Sequence, residues 1–127
     1  SGVYFRIADP KDPVKTGIEC QILDSSGKPD DKMGHHDHGG IIRTVGPTKN
    51  MSKKPGEWNT QEVTVKGSTI KVVLNGETIL DCDLSKVEKP MYKIGKFKGR
   101  TRKEGHFGFA GHGAAVQFRN VSIKRLK

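Results

Sequence analysis

The sequence predicts an all-β fold, a sandwich or jelly roll of short antiparallel strands. Three observations predict it. Runs of alternating apolar and polar residues recur along the chain; no window of a dozen residues holds a sustained 3.6-residue apolar period; and glycine-rich turns separate the runs, with 16 glycines in 127 residues. The length suits one domain, and residues 1–127 read as a single one.

The first run, VYFRIA (3–8), places Val3, Phe5 and Ile7 on one face and Tyr4 and Arg6 on the other. GIECQILD (17–24) turns Ile18, Cys20 and Ile22 inward and Glu19 and Gln21 outward. GIIRTV (40–45) and WNTQEVTVK (58–66) are the next strands, and PTKNMSKKPGE (47–57) between them is a loop by composition. STIKVVLNG (68–76) and ETILDCD (77–83) flank Asn75-Gly76, the strongest short hairpin signal because a tight mirror-image turn needs positive φ at both central residues. GHFGFAG (105–111) and AVQFRNVSIKRL (115–126) complete the set. In the last run the apolar residues slip phase, from Val116 and Phe118 to Val121 and Ile123, so a bulge is expected near Arg119–Asn120.

The net charge of +9 suggests an anionic partner or surface without choosing one. Residues 86–103 hold eight basic side chains and one acid, with Tyr92 and Phe97 interleaved and Lys96, Lys98, Arg100 and Arg102 at every second position. Nucleic-acid binders use such segments, but so do charged strand edges that resist pairing with another chain. The charged-edge reading is preferred, so nucleic acid is not the expected partner. Cys20 and Cys82 lack any CxxC spacing, which argues against a structural zinc site built on cysteine and leaves one disulfide or two thiols open. No run approaches the ~18–20 apolar residues of a membrane helix, and no signal peptide is visible.

MGHHDHGG (33–40) concentrates three of the five histidines in four residues. His35, Asp37 and His38 are ligand types suited to zinc or another divalent ion, and the flanking glycines would let them converge. No ligand pair elsewhere has recognisable spacing, so the preferred reading is a loop at the rim of a binding site. The outward residues Arg6, Glu19 and Gln21 form a polar row that either binds a ligand or is merely solvated. Trp58 either stacks on a sugar ring or anchors the start of its strand in the core. Arg119 either reaches a ligand or pairs with a carboxylate, the latter being preferred.

SGVYFR (1–6), GIECQILD (17–24), PGEWNTQEVTVKGSTIKVVLNGETILD (55–81) and GHFGFAGHGAAVQFRNVSIKRL (105–126), in this order and spacing, resemble the 3-keto-disaccharide hydrolase family. The resemblance implies a concanavalin A-like jelly roll, a secreted or periplasmic bacterial setting, and an oxidised di- or oligosaccharide as substrate. Family members usually carry further strands before the SGVYFR segment. That implies that residues 1–127 correspond to the C-terminal two-thirds of the family domain, completed by missing strands or a larger parent protein. His112, in GHG, falls where the family usually has a histidine.

The implied chemistry is self-consistent. A C3 ketone acidifies the C2 proton, a base removes it, and the C1–O bond breaks by elimination before water adds to the enone. This needs a base, an acid for the leaving oxygen and a stabiliser for the enolate. Glu19 is the candidate base and His112 the candidate acid, while Arg6, Gln21 or a divalent metal at His35 or His38 would stabilise the enolate. Gln21, Trp58 and Arg119 are candidate substrate contacts with Arg6. The competing class is a non-catalytic, lectin-like module of a larger secreted protein, and a binder of acidic polymers ranks third.

Overall fold

The computed structural model describes residues 1–87 and 102–126. In chain order the elements are β1 (Gly2–Ile7), α1 (Pro13–Thr16), β2 (Ile18–Gln21), β3 (Gln61–Lys66), β4 (Thr69–Leu74), β5 (Glu77–Asp83) and β6 (His106–Ala110). They make two antiparallel sheets, β2-β1-β6 and β3-β4-β5, as the all-β prediction requires.

Sheet one opposes Phe5, Ile18 and Cys20 to Ile70, Val72, Leu74, Ile79 and Leu80 of sheet two in one buried cluster. The alternation predicted for β4 holds, with Ile70, Val72 and Leu74 sealed while Lys71 is exposed. Asn75 and Gly76 turn the β4–β5 hairpin with φ of 51° and 87°, the pairing that the Asn-Gly signal demands. In β5 the alternation breaks. Val72 pairs with Leu80 and Val73 with Thr78, so Ile79 is a bulge residue, and both Ile79 and Leu80 turn into the core. The bulged carbonyl accepts from the Thr48 N–H at 2.7 Å and from the Thr48 hydroxyl at 3.1 Å. Gly39 sits against the Ile79 side chain at φ 87°; a Cβ there would overlap Ile79 Cδ1.

Four expectations are corrected. Residues 40–45 form a tight loop closed by reciprocal Ile41–Val45 bonds of 2.9 and 3.1 Å, because Arg43 takes a left-handed φ of 66° that ends any extended run. Residues 115–126 form no strand; they are exposed throughout, and Asn120, where the bulge was expected, has φ 52°. β3 starts at Gln61, leaving Trp58 outside it and 40% exposed, so Trp58 is not a core anchor. Between β1 and β2 lies α1, which periodicity did not reveal because it spans a single turn. It is started by Asp12, whose carboxylate accepts from the Lys15 N–H, and by Pro13.

Both cysteines are free, Cys20 within the core and Cys82 half-buried. Most of the basic segment 86–103 lies outside the described residues. No helix among the described residues is long and apolar enough to cross a membrane.

Candidate active site

Glu19 and Tyr4 lie opposite each other on β2 and β1, and Gln21 lies opposite Gly2. Strand alternation turns these residues to the face of sheet one away from sheet two. On the other side of β1, Gly108 pairs with Tyr4 and Ala110 with Gly2. The small residues of β6 leave room beside Tyr4, where a cavity of about 280 Å³ is lined by Tyr4, Pro10, Pro13, His106 and Gly108 among others.

Tyr4 is almost wholly buried and stands directly across the strand pair from Glu19. Burial, followed by the Glu19 carboxylate, raises the phenol pKa well above its ordinary value, while the Arg43 charge pulls the other way. The phenol is therefore protonated beside the carboxylate. A carboxylate and a phenol thus share one sheet face, within the field of the Arg43 charge. Tyr4 and Arg43 were not singled out from the sequence. Tyr4 was legible, since it shares a strand face with the outward row. Arg43 was hidden within a run that reads as a strand.

Arg6 does not join this group. The β1–β6 register shifts between Tyr4 and Ile7, and Arg6 takes a φ of 53°. Its guanidinium instead reaches the Gly67 carbonyl in the β3–β4 turn and the Arg102 carbonyl at 2.7 Å. Arg102 returns the contact to the Arg6 carbonyl at 3.1 Å. Arg6 thus ties sheet one to the β3–β4 turn, and the predicted row is reduced to Glu19 and Gln21.

The histidine loop does not supply a metal-ligand set, and among the described residues no group of three or more His, Cys, Asp or Glu could hold a metal ion. His38 Nδ1 accepts from the Leu23 N–H at 3.3 Å, so Nε2 carries the hydrogen and donates to Gln61 Oε1 at 2.7 Å. The Gln61 amide in turn meets Cys20 Sγ at 3.8 Å. Asp37 accepts from Lys28 Nζ and from the Gly34 N–H, each at 2.7 Å, and from the Ser25 hydroxyl at 3.4 Å. His35 Nδ1 accepts from the Arg43 N–H at 3.0 Å.

The donor atoms that a cation would need therefore hold the loop together. Burial lowers the His38 pKa despite the opposing bond to Gln61. Burial, reinforced by His36 and Arg43, lowers that of His35. Burial acts to raise the Asp37 carboxyl, but the bonds from Lys28, Gly34 and Ser25 outweigh it and leave it below its ordinary value. Burial pushes the Cys20 thiol up to about 12, with the Glu19 charge adding to the shift, so Cys20 is an inert core residue.

His112 is exposed beyond the end of β6. The Arg119 guanidinium carbon lies 4.0 Å from the centre of the Trp58 ring, a cation–π contact in place of the carboxylate pairing preferred from the sequence.

A β-sandwich with a carboxylate and a buried phenol paired on one sheet face defines a class, a fold with room for a polar ligand beside an acid–base group. The family comparison narrows it: residues 1–124 match the 3-keto-alpha-glucoside-1,2-lyase-like domain, and the chain belongs to that family. It is 29% identical over 126 residues to a 3-keto-disaccharide hydrolase of Bacteroides thetaiotaomicron, an alignment covering 85% of this chain and 43% of that protein. It also resembles the crystal structure of a protein described as a glycosyl hydrolase from Parabacteroides distasonis. The TM-score is 0.57 and the identity 34%, over 67% of this chain and 44% of the other. The chain thus spans less than half the length of either relative.

Proposed function

We propose that the Glu19 face cleaves 3-keto-glycosides by elimination. Glu19 removes the C2 proton, the C3 oxygen gathers the electron pair as an enolate, and the C1–O bond breaks as the leaving oxygen takes a proton. Water adding to the enone completes hydrolysis. Arg43, in place of Arg6, supplies the positive charge for the enolate, and Gln21 contacts the sugar. His112 stays the candidate donor to the leaving oxygen, and Trp58 with Arg119 offers an exposed aromatic surface for a sugar ring. No step is assigned to a divalent ion at His35, Asp37 and His38, whose Nδ1, carboxylate and ring nitrogens respectively take part in holding the loop.

The observation that carries this reading is the cross-strand Tyr4–Glu19 pair, with Tyr4 bordering an open cavity, in a chain of this family. A secreted or periplasmic location belongs to the same reading and rests on the family resemblance alone. Completion of the fold by further strands or a parent protein belongs to it too. Support for that completion is the uncovered apolar surface of the last described residues, where Phe107, Phe109, Phe118, Val121 and Ile123 are 40–74% exposed. The Phe109 ring lies 4.3 Å from that of Phe118 and 5.4 Å from that of Phe107.

The test is turnover of 3-keto-trehalose against trehalose, each with and without chelator, by wild type and by Glu19→Gln and Arg43→Gln variants. Release of monosaccharide from the keto sugar only, insensitive to chelator and lowered at least ~100-fold in either variant, is expected. Binding of both sugars without turnover would instead establish a lectin-like module.

A further inference from the structure

We propose that Gly2 and Tyr4 together seat the Glu19 carboxylate in its working position. Tyr4 does so by donating its phenol hydrogen, and Gly2 by leaving the space that the carboxylate fills. The inference rests on the reading of Glu19 as the base, and it names two positioning residues for that base.

The geometry at Gly2 is specific. Its backbone is not left-handed, so conformational strain does not demand glycine there. What demands it is Glu19. A Cβ at Gly2 would overlap Glu19 Oε1 and stand 2.7 Å from Cγ and 2.8 Å from Cδ. The Glu19 side chain therefore lies flat across β1, over a residue that has no side chain. All three atoms met belong to a flexible side chain, so the collision is relieved by turning Glu19 away while the sheet stays in place.

Tyr4 fixes the other end. The phenol is buried directly across the strand pair from Glu19, and the carboxylate is the partner its hydroxyl would take. A phenol gives one hydrogen, and a carboxylate has two oxygens. Such a bond leaves lone pairs free to meet a C2–H. Proton abstraction requires reacting atoms about 3–3.5 Å apart, and a displacement of about 1 Å costs on the order of 100-fold in rate. A carboxylate held only by its own rotamers would lose that alignment.

The decisive variants are Gly2→Ala and Tyr4→Phe, compared with Glu19→Gln, in keto-sugar turnover and in thermal unfolding. Gly2→Ala is expected to lower kcat on the order of 100-fold with KM little changed and the unfolding midpoint unmoved. Tyr4→Phe is expected to lower kcat with a similarly small effect on KM. A readout independent of turnover is the Tyr4 Cζ resonance at neutral pH, which reports the partner of the hydroxyl. It should shift in Gly2→Ala in the same direction as in Glu19→Gln, because both remove the carboxylate from the phenol.

Full turnover in Gly2→Ala and Tyr4→Phe, with Glu19→Gln inactive, would overturn the seat and leave Glu19 as the base. Turnover surviving in Glu19→Gln would overturn the base, and the seat as its positioning device. If the wild type cleaves no keto sugar, the base reading fails. A Tyr4 resonance unmoved in Gly2→Ala overturns the seat whatever the turnover.

Discussion

Replacing His38 by alanine tests what the histidine loop is for. His38 is 7% exposed and uses both ring nitrogens. Removing the ring leaves the part-buried Leu23 N–H without its acceptor, about 1 kcal/mol at the low end of the cost of an unmade bond. It also removes the bond to Gln61, about 1 kcal/mol net. The total, about 2 kcal/mol, is a sizeable share of the ~5–15 kcal/mol typical of a domain. Urea unfolding should show it as a midpoint lowered by about 0.7–2 M, given a slope of roughly 1–3 kcal/mol per M.

The pH dependence carries the same signature. The folded pKa of His38 lies below its unfolded value, so the unfolded chain binds more protons between the two. The stabilisation is complete above about pH 6.5, the ordinary imidazole value, and is lost as pH falls through the lowered folded value. His35 is shifted in the same direction and shares this window. A His38→Gln variant should therefore flatten the acid slope without abolishing it. An alanine variant within about 0.5 kcal/mol of wild type would refute the argument. So would a zinc-induced rise in the wild-type midpoint that His38→Ala abolishes, since a ligand at 100 times its Kd adds about 2.7 kcal/mol.

Gly39→Ala places a Cβ on Ile79 Cδ1 at a φ of 87°, combining strain with overpacking; a loss of about 2–4 kcal/mol in chemical unfolding is expected. Phe109→Ser with Phe118→Ser tests the uncovered aromatic surface. The double variant should bind less of a hydrophobic dye and self-associate less in sedimentation, with an unfolding midpoint close to wild type. A large loss of stability would instead show that these rings already form part of the core.

The site was only partly readable in the sequence. Glu19 lies across from Tyr4, away from the Ile18 and Cys20 side, as the alternation of β2 requires, while Gln21, expected beside it, is buried. Arg6 was assigned to that row by the same rule, which fails where a left-handed residue breaks the register. Arg43 stood in a run whose composition is strand-like, while its conformation is set by the Ile41–Val45 loop closure. The histidines were read by ligand type, but burial and hydrogen bonding decided their use.

The sequence by itself determined the class of fold, the Asn75-Gly76 hairpin, the inward set of β4 and the family. Each depends on neighbours along the chain: the period of a strand, the φ values of a two-residue turn, the order of several short motifs. Tertiary structure alone decided that Ile79 bulges so that it and Leu80 both reach the core, and that Arg6 turns toward the β3–β4 turn. It also decided that His38 bridges to Gln61, and that Glu19 lies across Gly2 under the hand of Tyr4. Those outcomes depend on which distant backbone or side chain occupies the adjoining space, and local alternation carries no information about that.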